Sequence, residues 1–339
     1  RLRDDLETLR VARTDPQRLE VLSVDREDPV DAESFGHCGH LSVDDPDPLK
    51  SLRLGDICMS SNTQAWTVAQ STVAPTVPRK GLIARSIDGG KTWTTHVSST
   101  GPVFFLGGDT RYDSAVNLAK LTVAPAGTVV LATGRDYPDA LAASGLAGVM
   151  DATLLLTNSS LPDEVHTAIS ALGATKVIIV GGEDVVSDSI HDALAKDYDV
   201  ERIDGVNRYE TAANIARRMV AEGASPDEVF ICCGTDYADA ASASALSYGQ
   251  QIPILLVKPG ELPYPTKRVL GEIRASDAYV VGSDAAVSDP VMDAIESVAT
   301  SPTIGAVRVA DGVNRYSTSV LLASWAGSKD WIDFDRVGF

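Results

Sequence analysis

Short runs of apolar residues, many of them β-branched, recur along the chain without a polar residue at every second position. The clearest runs are residues 129–132, 177–180, 230–231 and 280–281. A strand that is buried on both faces has this pattern, because neither face meets water. These runs therefore predict strands of a parallel sheet that is covered on both sides.

Segments with the period of an amphipathic helix separate these runs, at residues 114–121, 139–149, 162–172 and 187–196. Several of them begin with Asp, Ser or Leu-Pro, which suit a helix N-cap or a first helical turn. Strands that alternate with helices of this length form right-handed crossovers and a parallel sheet between two helical layers. The predicted fold class is therefore α/β, with three-layer units of the Rossmann or flavodoxin-like kind.

The same pattern occurs in tandem copies. A segment with Gly first and Arg-Tyr at its fourth and fifth positions occurs at 108–115, 205–212 and 312–319. Further matching segments follow in the same order: 133–140 with 233–240, 153–157 with 253–257, 177–182 with 278–283, and 186–187 with 287–288. Common order and spacing predict repeats of one fold. We predict a first repeat at 102–200, a second at 201–306 and a shortened third at 307–339, which cannot close a sheet by itself.

Residues 1–100 differ in kind, being more polar and irregular, and we predict a β-rich region with strands near 65–68 and 81–84. The octet Ser-Ile-Asp-Gly-Gly-Lys-Thr-Trp at 86–93 resembles the Asp-box hairpin of sialidase-type β-propellers. The resemblance implies that Asp88 braces a tight glycine turn and that Trp93 packs between blades. A single copy predicts one partial propeller blade at most.

Charge limits the partners that this chain can bind. Its 339 residues carry a formal net charge of -18, with a sequence pI near 4.6. The long-range field therefore repels nucleic acid, anionic lipid and polyanionic wall polymer alike, so an anionic ligand needs a locally basic pocket. No apolar run approaches the roughly 18 residues of a membrane span, and we expect no membrane insertion. The first residues carry neither a start Met nor an apolar signal core, which indicates a piece excised from a longer protein.

Motifs for catalysis, cofactors and metals are missing from the sequence. It has no Gly-x-Ser-x-Gly pentad, no Gly-x-Gly-x-x-Gly and no P-loop, so we predict no catalytic residue and no cofactor. The histidines of the first repeat, His166 and His191, fall opposite Lys267 and Met292 in the second. The segment His-Cys-Gly-His at 37–40 lacks the second ligand pair of a zinc site, so a surface turn is expected there and no metal.

Taken together, the Arg-Tyr segment, the Asp-Ala segment, the Leu-Leu run before Leu-Pro and the Val-Gly-Gly strand end resemble the cell wall-binding repeat 2 family over residues 102–339. The resemblance implies secreted proteins that are anchored non-covalently to anionic polymers of Gram-positive cell walls, and thus a location at the cell wall surface. It also implies three copies in a triangular arrangement. The shortened third copy departs from that pattern.

The recurring arginines and tyrosines are the candidate ligand-binding residues. They are Arg111, Tyr112, Arg208, Tyr209, Arg315 and Tyr316. A guanidinium can form bidentate hydrogen bonds to a carboxylate or phosphate, and each Arg comes just before a helix N-terminus, which also favours anions. In the alternative, each arginine pairs within its own repeat with Asp139 or Asp239, and each tyrosine fills space between the repeats.

The apolar runs before Leu-Pro correspond to a stretch that the family needs for anchoring. They contain Leu155, Leu156, Leu255 and Leu256. Physically they are predicted to be buried strands, so their substitution acts through folding. The adjacent Cys232 and Cys233 are likewise expected to fill core space as small apolar residues.

The favoured hypothesis is a non-catalytic module with several weak sites that holds a surface protein on an anionic cell-wall polymer or another envelope glycan. Contacts between repeats, or between copies of the chain, are expected besides. One alternative is the anchor region of a glycan-processing or peptidoglycan-hydrolysing enzyme whose catalytic part lies elsewhere. The other is a structural building block of a surface layer.

Overall fold

The computed structural model divides the chain into two compact units, Arg1–Phe105 and Leu106–Phe339. In the first unit it describes the backbone of residues 10–15, 18–23, 41–43, 52–59, 65–71, 80–86 and 92–102. In the second it describes residues 107–120, 127–225, 227–300 and 302–332. Statements on structure below refer to these residues.

The first unit is an antiparallel sheet of seven strands. The strands are β1 (Arg10–Asp15), β2 (Arg18–Ser23), β3 (Leu41–Val43), β4 (Leu52–Met59), β5 (Ala65–Ser71), β6 (Lys80–Ser86) and β7 (Thr92–Pro102). Their order in the sheet is β1-β2-β7-β6-β5-β4-β3. Trp93 lies in β7 opposite Leu19, whereas Asp88 and the segment 37–40 lie outside the described residues. The Asp-box and the propeller blade stay predictions.

The second unit begins with a four-stranded parallel sheet whose strands alternate with helices. The elements are α1 (Arg111–Ala119), β8 (Thr128–Thr133), α2 (Pro138–Ala142), α3 (Ser144–Val149), β9 (Thr153–Thr157), α4 (Asp163–Ala171), β10 (Lys176–Val180), α5 (Asp188–Leu194) and β11 (Asp199–Ile203). The order in the sheet is β11-β10-β8-β9. All three neighbouring pairs are parallel.

A second sheet follows with the same alternation of strands and helices, except that one helix takes the place of α2 and α3 and a further helix follows the last strand. They are α6 (Arg208–Ala221), β12 (Glu228–Cys233), α7 (Ala238–Gln250), β13 (Ile254–Val257), α8 (Tyr264–Ile273), β14 (Asp277–Val281), α9 (Asp289–Glu296), β15 (Gly305–Ala310) and α10 (Arg315–Ser328). The order β13-β12-β14-β15 is the order of the first sheet, strand for strand. The predicted fold class, tandem α/β repeats with parallel sheets, is confirmed.

The structural repeat is offset from the sequence repeat by one strand. β11 spans the boundary between the sequence copies at 200 and 201, yet it pairs with β10 in the first sheet, with Val180 opposite Ile203. The chain then passes directly into α6, which contacts β13 of the second sheet. Each sheet is therefore completed by the strand that opens the next sequence copy, so consecutive copies cannot separate without breaking a sheet.

Alternate residues of the strands enter different cores. In β10, Val177 and Ile179 face an outer core, while Ile178 and Val180 face a core that lies between the two sheets. The shared core also receives Phe230 and the other inner residues of the second sheet, together with side chains of the helices between the sheets. Burial on both faces explains the absence of polar alternation in the sequence, because no strand position of this kind meets water.

Helices α3 and α7 meet across the shared core with their backbones in close approach. A Cβ atom on Gly148 would overlap the carbonyl oxygen of Tyr248. On the same helix, Gly145 faces Met219 and Ser247 at distances that leave no room for a methyl group. Glycine at these positions therefore sets how near the first copy can come to the second.

We expect Leu256→Ala to lower the free energy of unfolding by about 2 to 5 kcal/mol, because Leu256 is only 1% exposed and packs into the shared core. The equivalent change Leu156→Ala is the matched control and should cost clearly less, since Leu156 is half-buried in β9. Urea unfolding followed by circular dichroism measures both. Equal losses would contradict the assignment of Leu256 to a core formed by two copies.

Candidate functional site

Both sheets reverse their strand order at the same place. In the first sheet β8 is followed by β9 on one side and by β10 on the other, and in the second sheet β12 lies between β13 and β14. In open parallel sheets, ligand crevices form outside the carboxyl ends of the strands at such a switch point. The matching segments 133–140 and 233–240 begin there. We call this edge of the two sheets the rim.

A carboxyl group lies inside each switch point. Asp139, in the first turn of α2, is 9% exposed, and a Cβ atom built on Gly181 would lie 2.7 Å from its Oδ2 atom. Gly181 has a φ of +105°, a conformation that glycine adopts without strain. The glycine at the end of β10 therefore makes room for the carboxyl group, and Gly282 does the same for Asp239.

The surroundings of these carboxyl groups favour their neutral form. Burial raises the pKa of Asp139 to about 6, with Arg208 opposing that shift and Asp136 adding to it. The pKa of Asp239 is also raised, first by burial and then by Asp236. Arg315 and a hydrogen bond with Thr318 act in the opposite direction there. Two carboxyl groups with raised pKa values thus lie under the rim.

Arg208 joins the two copies. Its Nη1 atom donates a hydrogen bond of 2.6 Å to the carbonyl of Gly234 in its own copy. The same guanidinium reaches back to the preceding copy, where Nη2 lies 3.2 Å from Asp136 Oδ2 and Nη1 lies 3.4 Å from the hydroxyl of Tyr137. The acidic partner of Arg208 is therefore not the Asp239 of its own repeat. The reason is the position of Arg208 at the start of α6, which contacts α2 and α3 of the preceding copy.

Arg315 repeats this arrangement one copy later. It lies 3.9 Å from Asp236, donates a hydrogen bond to the hydroxyl of Tyr237, and its Cζ atom is 5.0 Å from the centre of that ring. We call Asp136, Tyr137 and Arg208 the first seam cluster. The residues Asp236, Tyr237 and Arg315 form the second seam cluster.

Arg111, the first arginine of the series, has no such acidic partner within the described part of the chain. Its Nη1 atom donates a hydrogen bond of 2.5 Å to the carbonyl of Gly134, as Arg208 does to Gly234. Among the described residues it forms no ion pair. Arg111, at the start of α1, is exposed, as Arg315 is, whereas Arg208 is half-buried.

The tyrosines of the Arg-Tyr segments do not share one environment. A Cβ atom on Gly134 would lie 2.6 Å from the ring of Tyr112, and one on Gly234 would lie 2.7 Å from the ring of Tyr209. These two rings are half-buried beneath the strand ends. Tyr316 is 48% exposed. Of the three tyrosines, it alone offers a large surface to a ligand.

A different pair of tyrosines lies on the rim. The rings of Tyr137 and Tyr237 are 5.8 Å apart between centroids and tilted by 60°, so the two seam clusters touch. Tyr237 is 47% exposed. Asp136, Tyr137, Asp236 and Tyr237 were not among the site residues predicted from the sequence. The signal was present, because both residue types recur at matching positions of 133–140 and 233–240.

The leucines of the anchoring stretch lie in strands. Leu155 and Leu255 are fully buried in the outer cores, and Leu256 in the shared core, whereas Leu156 is half-buried. Cys232 and Cys233 are free thiols in buried positions of β12, and burial raises the pKa of Cys232. None of the fully buried side chains can touch a polymer at the surface.

The described residues hold no group of three or more His, Cys, Asp or Glu side chains arranged to bind a metal ion. The helices in the described part of the chain include none that is long and apolar enough to span a membrane.

The family described as Cell wall binding domain 2 matches residues 106–191 and 202–292 of this chain. Among curated relatives, the N-acetylmuramoyl-L-alanine amidase LytC of Bacillus subtilis is 34% identical over 194 residues, covering 57% of this chain and 38% of the relative. The Amidase enhancer of Bacillus subtilis is 32% identical over 241 residues, which are 69% of this chain and 32% of the relative. The chain thus spans about a third of either relative.

Two solved structures share the fold. Cwp6 from Clostridium difficile has a TM-score of 0.57 at 20% identity, covering 80% of this chain and 55% of that protein. Cwp8 from the same organism has a TM-score of 0.56 at 23% identity, with 80% and 48% covered. At this identity the likeness speaks for the architecture alone.

The raised pKa of Asp139 predicts a pH-dependent effect of Asp139→Asn. A carboxyl group whose pKa is higher in the folded protein stabilises it fully at about pH 4, and that contribution is lost as the pH rises through about 6. We therefore expect the variant to match the wild type at about pH 4 and to exceed its unfolding free energy by about 1 to 3 kcal/mol at about pH 8.

Urea unfolding at both pH values measures this difference. The matched variant Asp239→Asn should show the same direction with a smaller gain, because Thr318 already stabilises the ionised form of that carboxyl. A variant Asp139→Asn that is less stable than the wild type at the higher pH would show that the ionised carboxylate stabilises the fold.

Proposed function

We propose that this chain, which belongs to the Cell wall binding domain 2 family and is a cell wall-binding module of secreted surface proteins, holds its protein on an envelope polymer through several weak contacts along the rim. The observation that carries this proposal is the repetition of the seam cluster at one edge of two sheets of identical topology. A polymer of repeating units meets repeating sites in such an array.

Multivalency supplies the affinity in this proposal. Once one unit of a polymer is bound, its neighbours are held near the next site at a high effective concentration, so weak sites combine into firm retention. The gain requires that the sites keep a fixed spacing. The exchange of β11 into the first sheet and the bridging by Arg208 support a fixed spacing, because both tie the copies together.

The candidate ligand-binding residues have different parts in this proposal. Arg208 and Arg315 act first as clamps between copies. Arg111 and Tyr316, which are both exposed, extend the contact surface at the two ends of the array. Tyr112 and Tyr209 hold the arginine-bearing helices against the strand ends.

We also propose that the module has no catalytic step of its own. The two curated relatives carry different printed names, an amidase and an amidase enhancer, and this chain corresponds to about a third of each. A segment common to both is better explained by a shared location than by a shared reaction. The similarity to the amidase favours a second candidate, in which this chain is the anchor of a peptidoglycan-hydrolysing enzyme. A structural role in a surface layer stays a third prediction.

Retention on cell walls tests the main proposal. The chain should bind saturably to purified Bacillus subtilis walls, and at least several-fold less to walls from which the secondary polymer has been extracted, because the polymer supplies the repeated contacts. Sedimentation with labelled protein measures both. Equal retention on the two preparations would remove the polymer from the proposal and leave peptidoglycan or a protein as the partner.

The absence of catalysis is tested on the same walls. The chain should release no amino groups or reducing sugars from them above the level of buffer alone. Steady release would instead support an active site within this chain.

A further inference from the structure

We propose that the two seam clusters together form a saccharide site, which recognises the hydroxyl groups of sugar units and not the anionic groups of the polymer. The inference rests on the proposed function and specifies its chemistry. It depends on three properties of the rim: the contact between the clusters, their balance of charge, and their rigidity without a ligand.

The two clusters form one continuous surface. Tyr137 and Tyr237 touch, and each ring has its own arginine against it, with Arg208 Cζ 5.7 Å from the centre of the Tyr137 ring. Tyr237 keeps almost half of its surface exposed within this arrangement. An exposed tyrosine offers an apolar ring face to the C–H groups of a sugar, together with a hydroxyl at its edge.

The charge of this surface does not suit an anion. Arg208 faces Asp136 and the buried Asp139, and Arg315 faces Asp236 and Asp239. Two guanidinium groups thus stand among four carboxyl groups, in a chain whose net charge is -18. A phosphate or carboxylate would have to compete with the aspartates that already face each arginine, in a strongly acidic chain.

The same groups suit hydroxyls. An ionised carboxylate accepts several hydrogen bonds, and a guanidinium donates up to five in a fixed plane. Side by side, they can accept from one sugar hydroxyl and donate to its neighbour. The side chains of Asp136 and Asp236 are about half exposed, at 47% and 55%, so both can reach a ligand.

The clusters are held in place without a ligand. Asp136 Oδ1 accepts a hydrogen bond of 2.9 Å from the backbone N–H of Tyr137, and Asp236 Oδ1 accepts one of 3.0 Å from that of Ala238. Arg208 is fixed by the Gly234 carbonyl. Side chains that are already ordered lose little conformational entropy on binding, which favours weak but specific sugar contacts.

Asp236→Asn separates hydroxyl recognition from anion recognition. If hydroxyls are bound, the variant should weaken retention on Bacillus subtilis walls about three- to tenfold, because an amide is a poorer acceptor than a carboxylate. If anions are bound, the variant should strengthen retention, because it frees Arg315. Tyr237→Ala should weaken retention at least as much. Asp192→Asn, at an exposed position of α5 outside both clusters, is the matched control.

Salt and a soluble polyanion supply the second readout. Raising NaCl from about 0.05 M to about 0.5 M should change the dissociation constant by less than about threefold, since neutral contacts are little screened. Polyphosphate at constant ionic strength should not release the bound chain. Circular dichroism melts confirm that each variant is folded.

The outcomes are distinct. The saccharide assignment is overturned if Asp236→Asn increases retention on the walls, or if salt or polyphosphate abolishes the retention of the wild type. In either case the proposed wall-binding function stands. Wild-type binding by the variants Asp236→Asn and Tyr237→Ala also overturns the saccharide assignment. A wild-type chain that is not retained at all overturns the proposed function and this inference with it.

Discussion

Each parallel sheet of the repeat array can bury its inner face only against a neighbouring copy. Four strands with apolar residues on both sides need two covering layers, and the inner layer here consists of helices from two successive copies. Met219 from α6 and Leu146 from α3 enter the same core. Once that core is required, the other features follow: glycines where helices approach, a strand exchanged into the preceding sheet, and an arginine that bridges the copies at the rim. A single copy would leave the inner face in water.

The bridging arginine connects this architecture with binding. A guanidinium that must hold Asp136 and the Gly234 carbonyl together cannot at the same time serve as an unshielded anion site. Its pairing also brings the aspartate and tyrosine of the preceding copy to the surface in a fixed arrangement. The proposed site is formed by residues from both sides of the seam, so in this proposal wall binding depends on the contact between copies.

The fold followed from the sequence to a large extent. The apolar runs at 129–132 and 177–180 lie within β8 and β10, and the alternation with helices gave the α/β class. Less of the candidate site could be predicted from the sequence. Arg208 was expected just before a helix and is the first residue of α6. The alternative to ligand binding paired it with Asp239 of its own copy, whereas the structure pairs it with Asp136 of the preceding copy, and a sequence pattern does not show which residues of two copies lie close together. Tyr137 and Tyr237 were visible as a recurrence, yet nothing in the sequence distinguished them from Tyr112 and Tyr209.

The sequence by itself determined the repeat, the parallel α/β unit and the burial of the strands, because all three depend on the order and polarity of residues close along the chain. Only the tertiary structure decided that β11 belongs to the sheet of the copy before it, that Asp139 lies beneath Gly181, and that the two seam clusters touch. These facts depend on distances between residues that are far apart in sequence. Such distances depend on how closely two helices pack across the shared core. At Gly148 the lack of a side chain allows α3 to approach α7, where a Cβ atom would overlap the backbone of Tyr248.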